Sequence, residues 1–78
     1  MPHIVVKMFS GQSDETKQAL ADSLAEAMMK TLGSPPHSIS VGIEDVPQPE
    51  WMASVYEPEI AGRSETLFRK PGYGSLAQ

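Results

Sequence analysis

Residues 38–46 read SISVGIEDV (Ser-Ile-Ser-Val-Gly-Ile-Glu-Asp-Val), and the fold turns on how this stretch is read. Apolar and polar side chains alternate strictly. Ile39, Val41 and Ile43 take one face, and Ser40, Gly42 and Glu44 take the other, the period of two that a strand imposes. The second face is so small that something should pack or bind closely against it. Upstream, Pro35 and Pro36 forbid a helix and Gly33 suits a left-handed cap, so a helix must end just before them. Its apolar stripe runs Leu20, Leu24, Met28 and Leu32, with Ala21, Ala25 and Ala27 alongside. Ser13 is the expected N-cap, with Asp14 and Glu15 in the positively polarised first turn and Lys30 in the last.

Further upstream, residues 2–9 (PHIVVKMF) form a second strand candidate, with Ile4, Val6 and Met8 on one side and Val5, Lys7 and Phe9 on the other. Strand, long helix and strand in sequence make one βαβ unit, so the strands should be parallel with a right-handed crossover. A two-stranded parallel sheet leaves two open edges and faces too small for a core. Joining two such sheets edge to edge, with both helices on one face, resolves this. The expected architecture is therefore α/β (α+β), a single domain over residues 1–78 completed by homo-oligomerisation, a dimer being favoured.

After the second strand come Pro47 and Pro49, then Trp51 and Met52. Pro58 suits the first turn of a short C-terminal helix that would carry Ile60, Ala61, Ser64, Leu67 and Phe68 inward. Arg69 and Lys70 complement its end before Pro71-Gly72, and residues 73–78 read as a loosely ordered tail.

Composition narrows the function. The 78 residues hold no Cys, which removes disulfides and thiolate metal sites, and the formal net charge is −4. The six basic residues are scattered, which argues against a nucleic-acid surface. His3 and His37 lie too far apart for metal-ligand spacing and read as solvated or hydrogen-bonded. No apolar run approaches the roughly 20 residues of a membrane span, so a cytoplasmic protein with no membrane partner, metal or organic cofactor is expected.

Pro2 stands directly behind Met1. Removal of Met1 would expose a secondary amine on a rigid ring, a group able to accept or release a proton near neutral pH. A retained Met1 would convert that nitrogen into a tertiary amide with no basicity.

A set of ordered features then becomes specific. The Pro-started strand is followed by the turn from Ser10 to Glu15, Lys17-x2-Leu20-x3-Leu24 in the helix, Pro35, and a Ser-Ile-Ser-Val strand. Together they resemble the 4-oxalocrotonate tautomerase family. Pro49-Glu50-Trp51, Glu59-Ile60-Ala61 and Lys70-Pro71-Gly72-Tyr73 are similar to its PptA-type branch, which carries an extra C-terminal helix. The resemblance implies that the Pro2 nitrogen moves a proton between an enol oxygen and a carbon α to a carbonyl. An apolar pocket, with Trp51, Met52 and Phe68 as candidates, would favour the neutral amine.

Two departures redirect the substrate. Founding members hold a dicarboxylate with one arginine in the turn after the first strand and another on the second strand. The matching positions here are Gln12 and Ser40, and neither supplies a bidentate guanidinium. The family's pocket aromatic is matched by Trp51, one residue displaced, although a core or interface role is equally open to it. A more apolar site for one carboxylate fits better, and the branch implies an aryl-pyruvate enol such as phenylenolpyruvate. Gln12, Ser40, the backbone and Arg63 are the open choices for the group that polarises the carbonyl, with a solvated surface role as the alternative for Arg63. Related branches run hydration and decarboxylation, which call for charged residues to activate water. A non-catalytic oligomeric ligand-binding module on the same scaffold is the alternative from a different class.

Overall fold

The structure, a computed structural model, describes residues 1–77. They form two compact units that meet in sequence between Val46 and Pro47.

The first unit holds strand β1 (His3–Phe9), helix α1 (Asp14–Leu32) and strand β2 (Ser40–Val46). The strands pair in parallel, with His3 opposite Ser40, Val5 opposite Gly42 and Phe9 opposite Val46. The expected βαβ unit is present. Of the stretch 38–46 read from sequence as strand, Ser38 instead closes a tight 3₁₀ turn over Pro36–Ser38. Pro35 and Pro36 fix the backbone there, and pairing begins only at Ser40.

Helix α1 begins where its sequence says. Ser13 Oγ accepts the Thr16 N–H at 3.1 Å, leaving one fewer unpaired donor in the first turn. The helix ends at Gly33, which adopts φ 71° and donates its N–H to Met29 O at 3.0 Å. Only glycine takes that left-handed conformation without strain. Lys17 Nζ reaches Asp45 Oδ2 at 2.8 Å, and Lys17 and Ala21 lie beside Val41 and Ile43. The helix therefore lies on the sheet face carrying Ile4, Val6, Met8, Val41, Ile43 and Asp45. Leu20, Leu24 and Met28 are partly covered, whereas Leu32 is exposed against expectation. Residues spaced by four advance about 40° beyond a full turn, so three such steps carry Leu32 roughly 120° off the face that Leu20 defines.

The opposite face carries His3, Val5, Lys7, Phe9, Ser40, Gly42 and Glu44. Val5 and Phe9 are close to half exposed, and a Cβ added at Gly42 would meet nothing within 4 Å. Within the first unit, helix α1 lies on the other face and does not cover the small residues of β2. No side chain among residues 1–46 is buried.

The second unit differs most from expectation. Helical backbone begins at Trp51, not at Pro58, and continues as a wide π-helix over Met52–Ile60 with Pro58 inside it. Pro58 has no N–H to donate, and the turns around it are widened: Ala61 N–H reaches both Tyr56 O and Glu57 O. A 3₁₀ segment, Ala61–Thr66, follows, broken at Arg63 (φ −132°, ψ 38°). Leu67 is already extended, so the helix never reaches Phe68, which is fully exposed instead of facing inward.

Residues 73–77 also depart from the loose tail read in the sequence. Tyr56, completely buried, accepts the Leu76 N–H on its hydroxyl at 2.9 Å and lies 3.1 Å from Ser75 Oγ. Its ring packs against Tyr73 with centroids 5.4 Å apart, and Trp51 Nε1 donates to Tyr73 OH at 2.8 Å. Val55 and Tyr56 are the buried side chains of the described residues. Satisfied hydroxyl and indole groups around an apolar ring make this a small core in its own right.

Candidate active site

Pro2 precedes the first residue of β1, and its carbonyl accepts the Ser40 N–H at 3.3 Å. The first rung of the sheet therefore fixes the terminal residue pair, and Pro2 is partly covered. Directly opposite, His3 Nδ1 and Ser40 Oγ are 2.6 Å apart, a short contact between side chains on the face that α1 leaves open. Two of the candidate residues, Pro2 and Ser40, are thus brought together by strand register alone. His3 joins them, although the sequence offered it only a solvated or hydrogen-bonded role.

Gln12 is exposed in the connection from β1 to α1. It lies beyond the C-terminal end of β1, and Pro2 lies at the N-terminal end. Seven strand residues at about 3.3 Å each separate the two by roughly 20 Å. One chain does not bring them together.

Trp51 and Phe68 belong to the second unit. Trp51 is half-buried with its indole N–H held by Tyr73, while Phe68 projects freely from the backbone after the helical segment. Of the two residues that order this unit, Tyr56 is not singled out by the sequence and Tyr73 enters there only as the end of the Lys70-Pro71-Gly72-Tyr73 motif. Their contacts span about 20 positions, and no local periodicity announces them.

An ion pair between Lys17 and Asp45 lies on the covered face. The hydrogen bond and charge of Asp45 hold the Lys17 ammonium above the ordinary lysine range, opposed in part by its loss of water, with Asp14 adding to the attraction. Lys17 is therefore a fixed cation tying α1 to β2. Among the described residues no group of three His, Cys, Asp or Glu could hold a metal ion, and no helix is long and apolar enough to cross a membrane.

In the βαβ unit a sheet-anchored proline directly follows Met1, with a serine beside it. Comparison with known proteins identifies the family. The family model described as tautomerase enzyme matches residues 2–56. A probable tautomerase of Xylella fastidiosa is 51% identical over 77 residues, covering 99% of this chain and 94% of the relative. Tautomerase PptA of Cronobacter sakazakii is 46% identical over 74 residues, covering 94% and 97% respectively. Among solved structures, the 4-oxalocrotonate tautomerase homologue TomN superposes with a TM-score of 0.63 at 31% identity, over 83% of this chain and 97% of that one. A 4-oxalocrotonate tautomerase isozyme from Methylibium petroleiphilum gives 0.62 at 32% identity, over 64% and 81%. The chain belongs to the tautomerase family of enzymes, with the 4-oxalocrotonate tautomerase fold. Its class of chemistry is isomerisation, and its curated relatives include the PptA branch.

Proposed function

We propose that Pro2, freed of Met1, is the general base and acid in the enol–keto interconversion of an aryl-pyruvate-like 2-oxo acid. The observation that carries this reading is the anchoring of Pro2 to Ser40 by the first rung of a tautomerase-family sheet. The neutral nitrogen accepts the enol O–H proton, the carbonyl forms as the C=C π pair moves to the α carbon, and that carbon takes a proton from the proline ammonium. Nitrogen ends as it began, and no external oxidant, reductant or cofactor enters the balance. A ring held by a strand keeps the nitrogen in a narrower range of positions than a loose terminus would.

Gln12 and Ser40 are the proposed polar contacts for the substrate, with Trp51 and Phe68 supplying apolar surface. Gln12 lies too far from Pro2 of its own chain, so the site takes Gln12 from a second copy. The two edges of a two-stranded sheet support the same conclusion: the working form is a homo-oligomer, a dimer at least, in which residues 1–78 act as one functional domain. A cytoplasmic location belongs to this reading.

The test is ketonisation of phenylenolpyruvate, followed by ultraviolet absorbance, on protein whose amino terminus is confirmed as Pro2 by intact mass. Turnover that disappears in Pro2→Ala supports the assignment. Undiminished turnover in Pro2→Ala removes it. No rate above buffer from free Pro2 removes the substrate class and moves a ligand-binding module ahead.

A further inference from the structure

We infer that His3 is a positioning residue that turns the Ser40 hydroxyl into a donor for the carboxylate of the substrate. The inference rests on the proposed 2-oxo acid site and names a residue that the reading above leaves without a role.

The argument is one of counting protons. Ser40 has a backbone N–H already given to Pro2 O and a hydroxyl with a single hydrogen. The hydroxyl oxygen sits 2.6 Å from His3 Nδ1, so one hydrogen occupies that line. When the imidazole proton is on Nε2, Nδ1 accepts the Ser40 hydrogen. The serine then presents only lone pairs to an incoming ligand. When the proton is on Nδ1, the imidazole donates to Ser40 Oγ, and the serine hydrogen is free to point outward. A carboxylate can only accept. An acid ligand at Ser40 therefore selects the arrangement His3 Nδ1–H to Ser40 Oγ, Ser40 O–H to carboxylate oxygen.

Strand register makes the pair rigid. His3 and Ser40 are direct partners across the sheet, and their backbones are locked by the Pro2–Ser40 rung, so the hydroxyl is aimed without ordering a loop. The His3 side chain is exposed, which lets its outer nitrogen exchange its proton with water as the tautomer changes. A serine that donates because a histidine orients it supplies one directed hydrogen bond, where a guanidinium would supply two. That suits a monocarboxylate.

The decisive measurement is ¹⁵N NMR of the imidazole nitrogens of the full chain, titrated with phenylpyruvate. Saturation should move the His3 proton to Nδ1. Binding with the Nε2–H form unchanged overturns the inference while leaving the tautomerase reading intact. No binding at all overturns both the inference and the substrate class. Kinetics give a second readout. His3→Phe should raise KM for phenylenolpyruvate about tenfold or more, as loss of a hydrogen bond to a charged group predicts. Its kcat should stay within about twofold, and the neutral methyl ester of the same enol should be unaffected. His3→Asn, whose side-chain amide can donate along the same line, should recover most of the loss. Equal effects of His3→Phe on acid and ester, or no recovery with Asn, would show that His3 serves only the fold.

Discussion

The backbone of Gly74 lies against the Tyr56 ring so closely that a single added Cβ would overlap Tyr56 Cζ and Oη. Gly74 also adopts φ 72°, so its lack of a side chain answers two demands at once. Gly74→Ala should destabilise the second unit by about 1–3 kcal/mol through overpacking and backbone strain. Hydrogen exchange should locate the loss at residues 73–77. Tyr56→Phe, which leaves the Leu76 N–H without its acceptor, should cost about 1 kcal/mol. Unchanged protection in both variants would show that Tyr56 does not hold the tail.

Pro2→Ala should lower kcat by about a hundredfold or more, the usual range for loss of a positioned base. Its circular dichroism and sedimentation should match the parent. Protein that keeps Met1 should be equally inactive, because its proline nitrogen is an amide. Purifying the two forms apart and assaying each separates chemistry from packing.

Ser13→Ala removes the side chain that accepts the Thr16 N–H at the start of α1. Denaturant unfolding should show a loss of about 1 kcal/mol. Ser13→Asp should retain stability, since it caps equally well and adds negative charge at the helix N-terminus.

The Lys17–Asp45 pair has a defined pH signature. The hydrogen bond and charge of Asp45 raise Lys17 above the ordinary lysine range. A group whose folded pKa is raised contributes stability that is complete below the unfolded value and disappears as pH climbs through the folded one. Wild type should therefore exceed Asp45→Asn in stability at neutral pH, with the gap narrowing in strongly alkaline solution above the ordinary lysine range. Stability curves at several pH values, with Lys17 Nζ followed by NMR, check the sign. A gap that widens with rising pH would contradict the pairing.

Association should govern stability. Val5 is close to half exposed on the sheet face turned away from α1, and Val5→Lys should reduce the sedimentation mass and lower the melting temperature. For the parent, the melting temperature should rise with protein concentration, as linkage between folding and assembly requires. A concentration-independent monomer would remove the proposed oligomer.

Much of the first unit is legible because its signals are local. The alternation of Val41 and Ile43 with Ser40 and Gly42 sets a face, Ser13 and Gly33 punctuate the helix, and parallel register follows from the connection. The neighbourhood of Pro2 and Ser40 comes with that register. What was not legible depends on contacts distant in sequence or on backbone that tolerates more than one reading. Pro58 is as consistent with a helix start as with the interior of a widened helix, and only the path from Trp51 decides. Phe68 reads as the apolar end of a stripe until Arg63 breaks the helix before it. Tyr56 and Tyr73 look like ordinary aromatics, yet they organise the tail. The His3–Ser40 contact needed a distance, since a histidine on an open strand has many solvated alternatives.

The absence of any buried side chain among residues 1–46 bears on how tolerance to mutation will be distributed. Accessibility in one chain ranks Val5, Phe9 and Leu32 among the exposed, replaceable residues. If folding and assembly are one equilibrium, a saturation library will rank them otherwise. Polar replacements at Val5 and Phe9 should be depleted as sharply as replacements at Tyr56. The pattern of intolerance would then trace the outline of a surface that no single copy of the chain contains.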